Sequence, residues 1–325
     1  MVSTINGDAS VPFYKEVGNR KISTQDIPVV AFPSARKNCQ VSTPSEYFLS
    51  SELNITGEQG WQAELRLRFK QRNGQTYIAE RSHRGPLLVQ RPFYPEPSGC
   101  HVYLVHPPGG VVGGDRLHLH VDVEQDAQVL LTTPAAAKFY RSGGLEAQQS
   151  QVITVRHGIA EWLPQETIFY RAALAFSRTH VQLDGHSRFI GWEIPCLGLP
   201  ARGESFDAGK LRLHFELWRD EQPLLIDRMN VAGNGPACTA AWGLAGHHAI
   251  GTLLAYPADH EMVESVRGVL SDQAEFAATL VDQVLVCRCV SNQAEHVRRV
   301  FINMWQLLRP QVLHRPAVLP RVWAT

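Results

Sequence analysis

A mainly β chain with about two α-helices near its carboxy terminus is what three observations predict. Apolar and polar residues alternate in Ala63-Glu64-Leu65-Arg66-Leu67-Arg68-Phe69 and in Leu117-His118-Leu119-His120-Val121-Asp122-Val123, the period of a half-buried strand. Short strand-like segments recur from Cys100 to Met229, separated by turns containing Gly, Pro and Asp. Towards the end the period changes, and Val297, Val300-Phe301, Met304 and Leu307-Leu308 fall on one face of a helix.

Taken in chain order, residues 1–57 carry Pro28, Pro33 and Pro44 and hold no sustained period, so they read as an irregular amino-terminal extension, with residues 58–325 as a single domain. The alternation after Trp61, the turn signal Asn73-Gly74 and the return Thr76-Tyr77-Ile78-Ala79-Glu80 predict a β-hairpin. Further strands are expected at Cys100 to Val105, Leu117 to Val123, Gln128 to Thr133, Gln151 to Arg156, Glu161 to Leu163, Ile168 to Tyr170, Thr179 to Leu183, Arg188 to Trp192, Lys210 to Trp218 and Leu224 to Met229. Spacing of this kind suits a sandwich, a barrel or a β-solenoid, and no simple repeat chooses among them. A first helix is expected where Met262-Val263, Val266 and Val269-Leu270 share a face. A second is expected with Ser291 or Asn292 at its cap, Glu295 in its first turn, Arg309 in its last and Pro310 as its stop.

Composition narrows the class. The 325 residues are 44% hydrophobic, enough for a large core, and 31 basic residues balance 31 acidic ones, so no field of one sign recruits nucleic acid or an anionic membrane. No apolar run reaches the roughly 18 residues of a membrane helix, and the start Met1-Val2-Ser3-Thr4 carries no signal core, so the expected compartment is the cytoplasm. Six scattered cysteines show neither a disulfide framework nor zinc-site spacing, and Cys287 and Cys289, two apart on a strand, read as buried small apolar side chains.

The stretch His106-Pro107-Pro108-Gly109-Gly110-Val111-Val112-Gly113-Gly114-Asp115 is the most informative part of the chain, because glycines and prolines there bracket one acidic side chain. Such a loop brings backbone close to another group and fixes the acid in place. It is no phosphate cradle, since Asp115 and Arg116 stand where a Walker loop needs Lys and Ser or Thr, and the strand that follows is not the helix of a dinucleotide fingerprint. No metalloprotease or nucleophile-elbow motif occurs, and the pairs His118/His120 and His247/His248 have no recognised metal spacing. More unusual are acids in apolar or turn settings: Asp115, Glu161, Glu166, Glu193, Glu204 and Asp227. A buried carboxylate needs a partner, and Lys138, Arg141 and Arg228 are available, so structural ion pairs are the default for any single one.

Several segments together resemble one family, the urease accessory protein UreD, also called UreH. They are Gly85-Pro86-Leu87, Gln90-Arg91-Pro92-Phe93-Tyr94-Pro95-Glu96, the glycine loop from His106 to Asp115, and Thr133-Pro134-Ala135-Ala136-Ala137-Lys138-Phe139-Tyr140-Arg141-Ser142. Glu161-Trp162-Leu163-Pro164-Gln165-Glu166, Cys196-Leu197-Gly198, Gly203-Glu204-Ser205-Phe206 and Pro320-Arg321-Val322-Trp323 complete the likeness, which runs from about residue 58 to the end. Leu199, where the family usually has arginine, and the leader before Gly57 depart from it.

The resemblance implies a non-catalytic maturation factor with a β-helix-like solenoid and two helices, acting with UreF and the GTPase UreG on apo-urease and passing nickel onward through an internal channel. Single carboxylates hold borderline divalent ions weakly enough to release them, as a series of transit sites requires. On that view Asp115, Glu204 and Asp227 lead the candidates, followed by Glu161, Glu166, Glu193 and His106, with Lys138 and Arg228 as charge partners and Gly109, Gly110, Gly113 and Gly114 shaping the loop. The helix around Met304 and Trp305 and the tail with Arg321 and Trp323 offer partner-binding residues. The competing expectation is a passive scaffold that links UreF to urease without touching nickel.

Overall fold

Leu65, Leu67 and Phe69 are buried and their charged neighbours exposed or half-exposed, so the first alternating segment is a strand, β1 (Gln62–Arg72), in the computed structural model, which describes residues 60–270 and 275–324. The expected extension, 1–57, lies outside the described residues. Asn73 and Gly74 both take positive φ, 53° and 81°, as a two-residue hairpin turn needs, and β2 (Gln75–Arg84) returns antiparallel to β1.

The strands that follow are β3 (Leu88–Val89), β4 (Cys100–Val105), β5 (Arg116–Val123), β6 (Gln128–Thr132), β7 (Ala137–Phe139), β8 (Ala147–Arg156), β9 (Ile159–Leu163), β10 (Thr167–Phe169), β11 (Leu174–Asp184), β12 (Arg188–Glu193), β13 (Pro195–Leu197), β14 (Lys210–Arg219) and β15 (Gln222–Ala232). After the short helix α1 (Pro236–Thr239) come β16 (Ala249–Tyr256), α2 (His260–Val269), β17 (Phe276–Val281), β18 (Val284–Ser291) and α3 (Ala294–Leu313). The chain is mainly β, as expected. The strand expected around Cys287 and Cys289 is β18, whereas β16 is not among the expected strands, because Ala249-Ile250-Gly251-Thr252-Leu253-Leu254-Ala255-Tyr256 is apolar on both faces and hides the period of two.

Two mixed sheets face each other. The first has seven strands in the order β15-β14-β11-β8-β5-β1-β2, and its five inner strands run parallel. In the second, β4, β6, β9 and β12 form one parallel ladder and β7, β10 and β13 another, with antiparallel β16 and β18 beyond. Parallel neighbours need long crossovers. Here each crossover is made of strands: the chain passes from β6 through β7 to β8, then β9 through β10 to β11, then β12 through β13 to β14. Leu119, Ile153, Val181, Phe189 and Leu254 fill the space between the sheets, and α2 and α3 cover the outer face of the second.

Two helix expectations are corrected. Ser291 and Asn292 do not cap α3, whose N-cap is Gln293 without a side-chain cap bond, and Pro310 does not stop it, since the helix continues to Leu313. Pro310 withholds one donor, the one that would meet the Gln306 carbonyl, and the helix runs on through Leu313 because the buried Leu308, Arg309, Val312 and Leu313 hold it on the sheet. The first helix is capped by Asp259, which accepts from the Met262 N–H, and Val263 and Val266 are buried as predicted while Val269 is exposed. No described helix is long and apolar enough to cross a membrane.

Candidate functional site

The glycine loop ends on Asp115, which is buried. Its Oδ1 accepts from the Trp61 N–H at 2.8 Å and its Oδ2 from the Val112 N–H at 2.9 Å, so one carboxylate ties the entry to β1 to the tip of the loop. The chain that the loop approaches is Gly60: a Cβ on Gly60 would lie 2.2 Å from the carbonyl carbon of Gly114, and Gly114 itself has φ +90°. Gly110 lies under the Tyr140 ring, and Gly109 and Gly113 complete the turn. Beside it, burial lowers the His106 pKa and the Asp115 charge opposes the shift, which leaves a neutral ring with a free lone pair at neutral pH.

Behind the loop is a cavity of about 320 Å³, lined by His106, Gly110, Lys138, Gln149, Gln151 and Trp162 among others. From its floor a polar row crosses the interior. Gln149 and Gln151 share the inward phase of Ile153 and Val155 on β8, Ser177 and Thr179 that of Val181 on β11, and Asp227 that of Leu225 and Val231 on β15. Register sets Gln151 opposite Thr179, Thr179 opposite Phe215, and Phe215 opposite Asp227. The second sheet answers with Glu193, whose Oε1 accepts from Trp162 Nε1 at 3.0 Å and from the Thr179 hydroxyl at 2.5 Å, while Gln151 Oε1 lies 3.2 Å from that hydroxyl. Burial raises the Glu193 pKa against the pull of those two bonds. Thr252, opposite Glu193, sits 3.3 Å from Asp227, which pairs with Arg288 at 3.1 Å where the row reaches solvent.

The UreD urease accessory protein family model matches residues 62–324. This chain belongs to that family. It is 42% identical to the urease accessory protein UreD of Citrobacter koseri over 85% of this chain and 96% of that protein. It is 43% identical to the UreD of Alcanivorax borkumensis over 82% of this chain and 93% of that one, and 42% identical to the UreD of Klebsiella aerogenes over 82% and 98%. Two stretches that carry the likeness, His106 to Val111 and Thr133 to Lys138, contribute to the cavity wall, while Asp115 does not line it.

In this UreD family member the other predicted acids lie apart from the row. Glu161 faces α3 and is held by Trp305 and Arg309. Glu166 is on the same side, 3.9 Å from Arg298, and the Cys196 thiol is raised by burial and then by the Glu166 charge. Glu204 is exposed, and only its backbone pairs with Leu199. Of the two expected charge partners, Arg228 forms an ion pair. Arg228 binds Glu216 at 3.2 Å on the outer face and not Asp227, because neighbours on a strand point to opposite faces. Lys138 lines the cavity and makes no ion pair among the described residues. Met304 and Trp305 are corrected too: both are fully buried in the core beneath α3 and cannot reach a partner. Trp323 packs against Trp192 and Trp305 and donates to Thr132, which leaves Arg321 as the exposed member of that set.

Sequence reasoning missed the charged cluster under α3. Arg309 spans Glu161 and Glu96, Arg315 reaches Glu96 at 2.9 Å, and His101 Nε2 meets Glu96 at 2.7 Å. The available signal was Arg309 itself, an arginine on the apolar stripe of Trp305, Leu308 and Val312. Also missed were Gln151, Thr179, Thr252 and Arg288, although a polar residue in the apolar phase of a strand marks the first two. Among the described residues there is no group of three or more His, Cys, Asp or Glu side chains placed to hold a metal.

Proposed function

We propose that this chain is a cytoplasmic urease maturation factor that docks on apo-urease with UreF, receives nickel by way of the GTPase UreG, and passes the ion through its interior. The parallel ladders joined by strand crossovers support reading the core as a β-helix-like solenoid, with the polar row set between its packed sheets. The observation that carries the proposal is the polar row from the cavity past Gln151, Thr179 and Glu193 to Thr252 and Asp227, inside a body otherwise filled with Val, Leu and Phe. Polar groups in a core are costly, so a continuous line of them calls for a use. Their chemistry suits nickel as cargo. His106, Glu193 and Asp227 offer one nitrogen or carboxylate at a time, too few donors to trap a divalent cation.

Urease co-expressed with the Glu193→Gln or Asp227→Ala variant should assemble with the accessory proteins yet contain less nickel, read by metal analysis of the purified enzyme. A full nickel complement with both variants overturns the conduit. The passive-scaffold reading has its own support, because Asp115 and Glu161 spend their oxygens on backbone amides, Trp305 and Arg309. Full nickel loading with an assembled complex is the result that favours it.

A further inference from the structure

Four large apolar side chains stand exposed around the glycine loop: Trp61 at 59%, Leu145 at 51%, Val112 at 48% and Tyr140 at 37%. Single exposed apolar residues are ordinary on a protein surface, but a contiguous group is not. These four are gathered around one loop, with the Tyr140 ring over Gly110 and the Leu145 side chain beside Gly114, which Gly60 adjoins. Asp115 accepts from the backbone of both Trp61 and Val112, the Tyr140 N–H donates to the Val111 carbonyl at 2.9 Å, and Gly114 donates to Glu146 next to Leu145. The Leu145 carbonyl accepts from the Ser142 hydroxyl, and the Tyr140 ring lies 5.0 Å from that of Tyr170. Each member is thus fixed by its backbone before any partner arrives, which lowers the ordering entropy lost on association.

The rim is basic. Arg141 and Lys138 flank Tyr140 and have no counter-ion among the described residues, whereas Arg171, farther along, is paired with Asp207. A Trp and a Tyr together with an Arg is the composition of an interface hot spot. We infer that this patch is the surface on which apo-urease docks, through an apolar side chain of the urease seated among Trp61, Val112, Tyr140 and Leu145 and flanked by carboxylates that pair with Arg141 and Lys138. The inference rests on the functional reading above and deepens it: docking here sets the partner against the glycine loop, whose Gly110 and Val111 also line the cavity together with Lys138. It also gives Asp115 a second task, holding the docking surface in shape.

The test is capture of apo-urease by the tagged full-length chain, with and without UreF, comparing wild type, Trp61→Ser with Leu145→Ser, Arg141→Glu, and the control Trp242→Ser, which alters an exposed tryptophan on a different segment. Thermal melting confirms that each variant is folded, and Arg141→Glu guards against loss of fold in the double variant. Capture about tenfold or more weaker for the double variant and for Arg141→Glu, with the control unchanged, is the expected result. Wild-type capture by both folded variants overturns the assignment, and so does loss of UreF alone with urease retained. If the wild-type chain itself captures no apo-urease, the functional reading fails and not merely this surface.

Discussion

Arg309 and Glu161, 148 residues apart, meet in a two-pronged pair: Nε donates to Oε2 at 3.0 Å and Nη2 to Oε1 at 2.9 Å, and both side chains are buried. This contact keys α3 onto β9, and the same guanidinium also neutralises Glu96. A buried ion pair adds little net stability over an apolar replacement of the whole cluster, but removing one partner strands the other charge.

Arg309→Met should therefore cost about 3–5 kcal/mol in urea unfolding. Adding Glu161→Gln and Glu96→Gln to the same chain should recover part of that loss. An Arg309→Met protein with a wild-type unfolding midpoint refutes the account of the cluster.

Acid should weaken the same cluster. Burial alone would raise the Glu96 carboxyl, but hydrogen bonds from His101 and Arg309 and the charges of Arg309 and Arg315 outweigh it and hold the group at about 2. A folded pKa below the unfolded one stabilises above the unfolded value, about 4.3, and that stabilisation is lost as pH falls towards 2. Melting temperature followed downward from pH 6 should drop more steeply in wild type than in Glu96→Gln, with parallel curves as the contrary result.

The close approach of Gly60 to Gly114 predicts a sharp difference between two Gly→Ala changes. Gly60→Ala forces a methyl against the Gly114 backbone and should cost about 1–3 kcal/mol. Gly143→Ala, with nothing within 4 Å of the new carbon, should leave the melting temperature nearly unchanged. Equal effects of the two would mean that the loop is not clasped as described.

Gln151→Leu separates transfer from stability. The position is buried in the apolar phase of β8 beside Ile153, so leucine fits the interior and the fold should hold. Nickel in co-expressed urease should nevertheless fall, because the polar row is broken between the cavity and Glu193. Unchanged nickel content in the presence of a stable Gln151→Leu protein argues that no ion passes there.

Much of the architecture was legible because local rules acted without competition. Asn73-Gly74 specifies a two-residue turn, and the alternation of β1, β5 and β11 appears in the burial of every second residue. Where a segment is covered on both faces, as β16 is, alternation vanishes and the strand is not visible. Pro310 misled because the cost of one missing backbone donor is set against tertiary packing, and the burial of Val312 and Leu313 beyond it is visible only in the folded protein.

What the sequence by itself determined is family membership, a mainly β body and a rigid loop ending in an acid, since motifs, strand period and glycine geometry are properties of neighbouring residues. What only the tertiary structure decided is the fate of each charge. Period two tells which residues share a face, not what covers that face. Asp227 therefore lies in the interior beside Arg288, its neighbour Arg228 lies outside on Glu216, and Glu161 serves a helix from the far end of the chain. The energy of a charge is set by its surroundings, and those surroundings come from strands and helices distant in sequence.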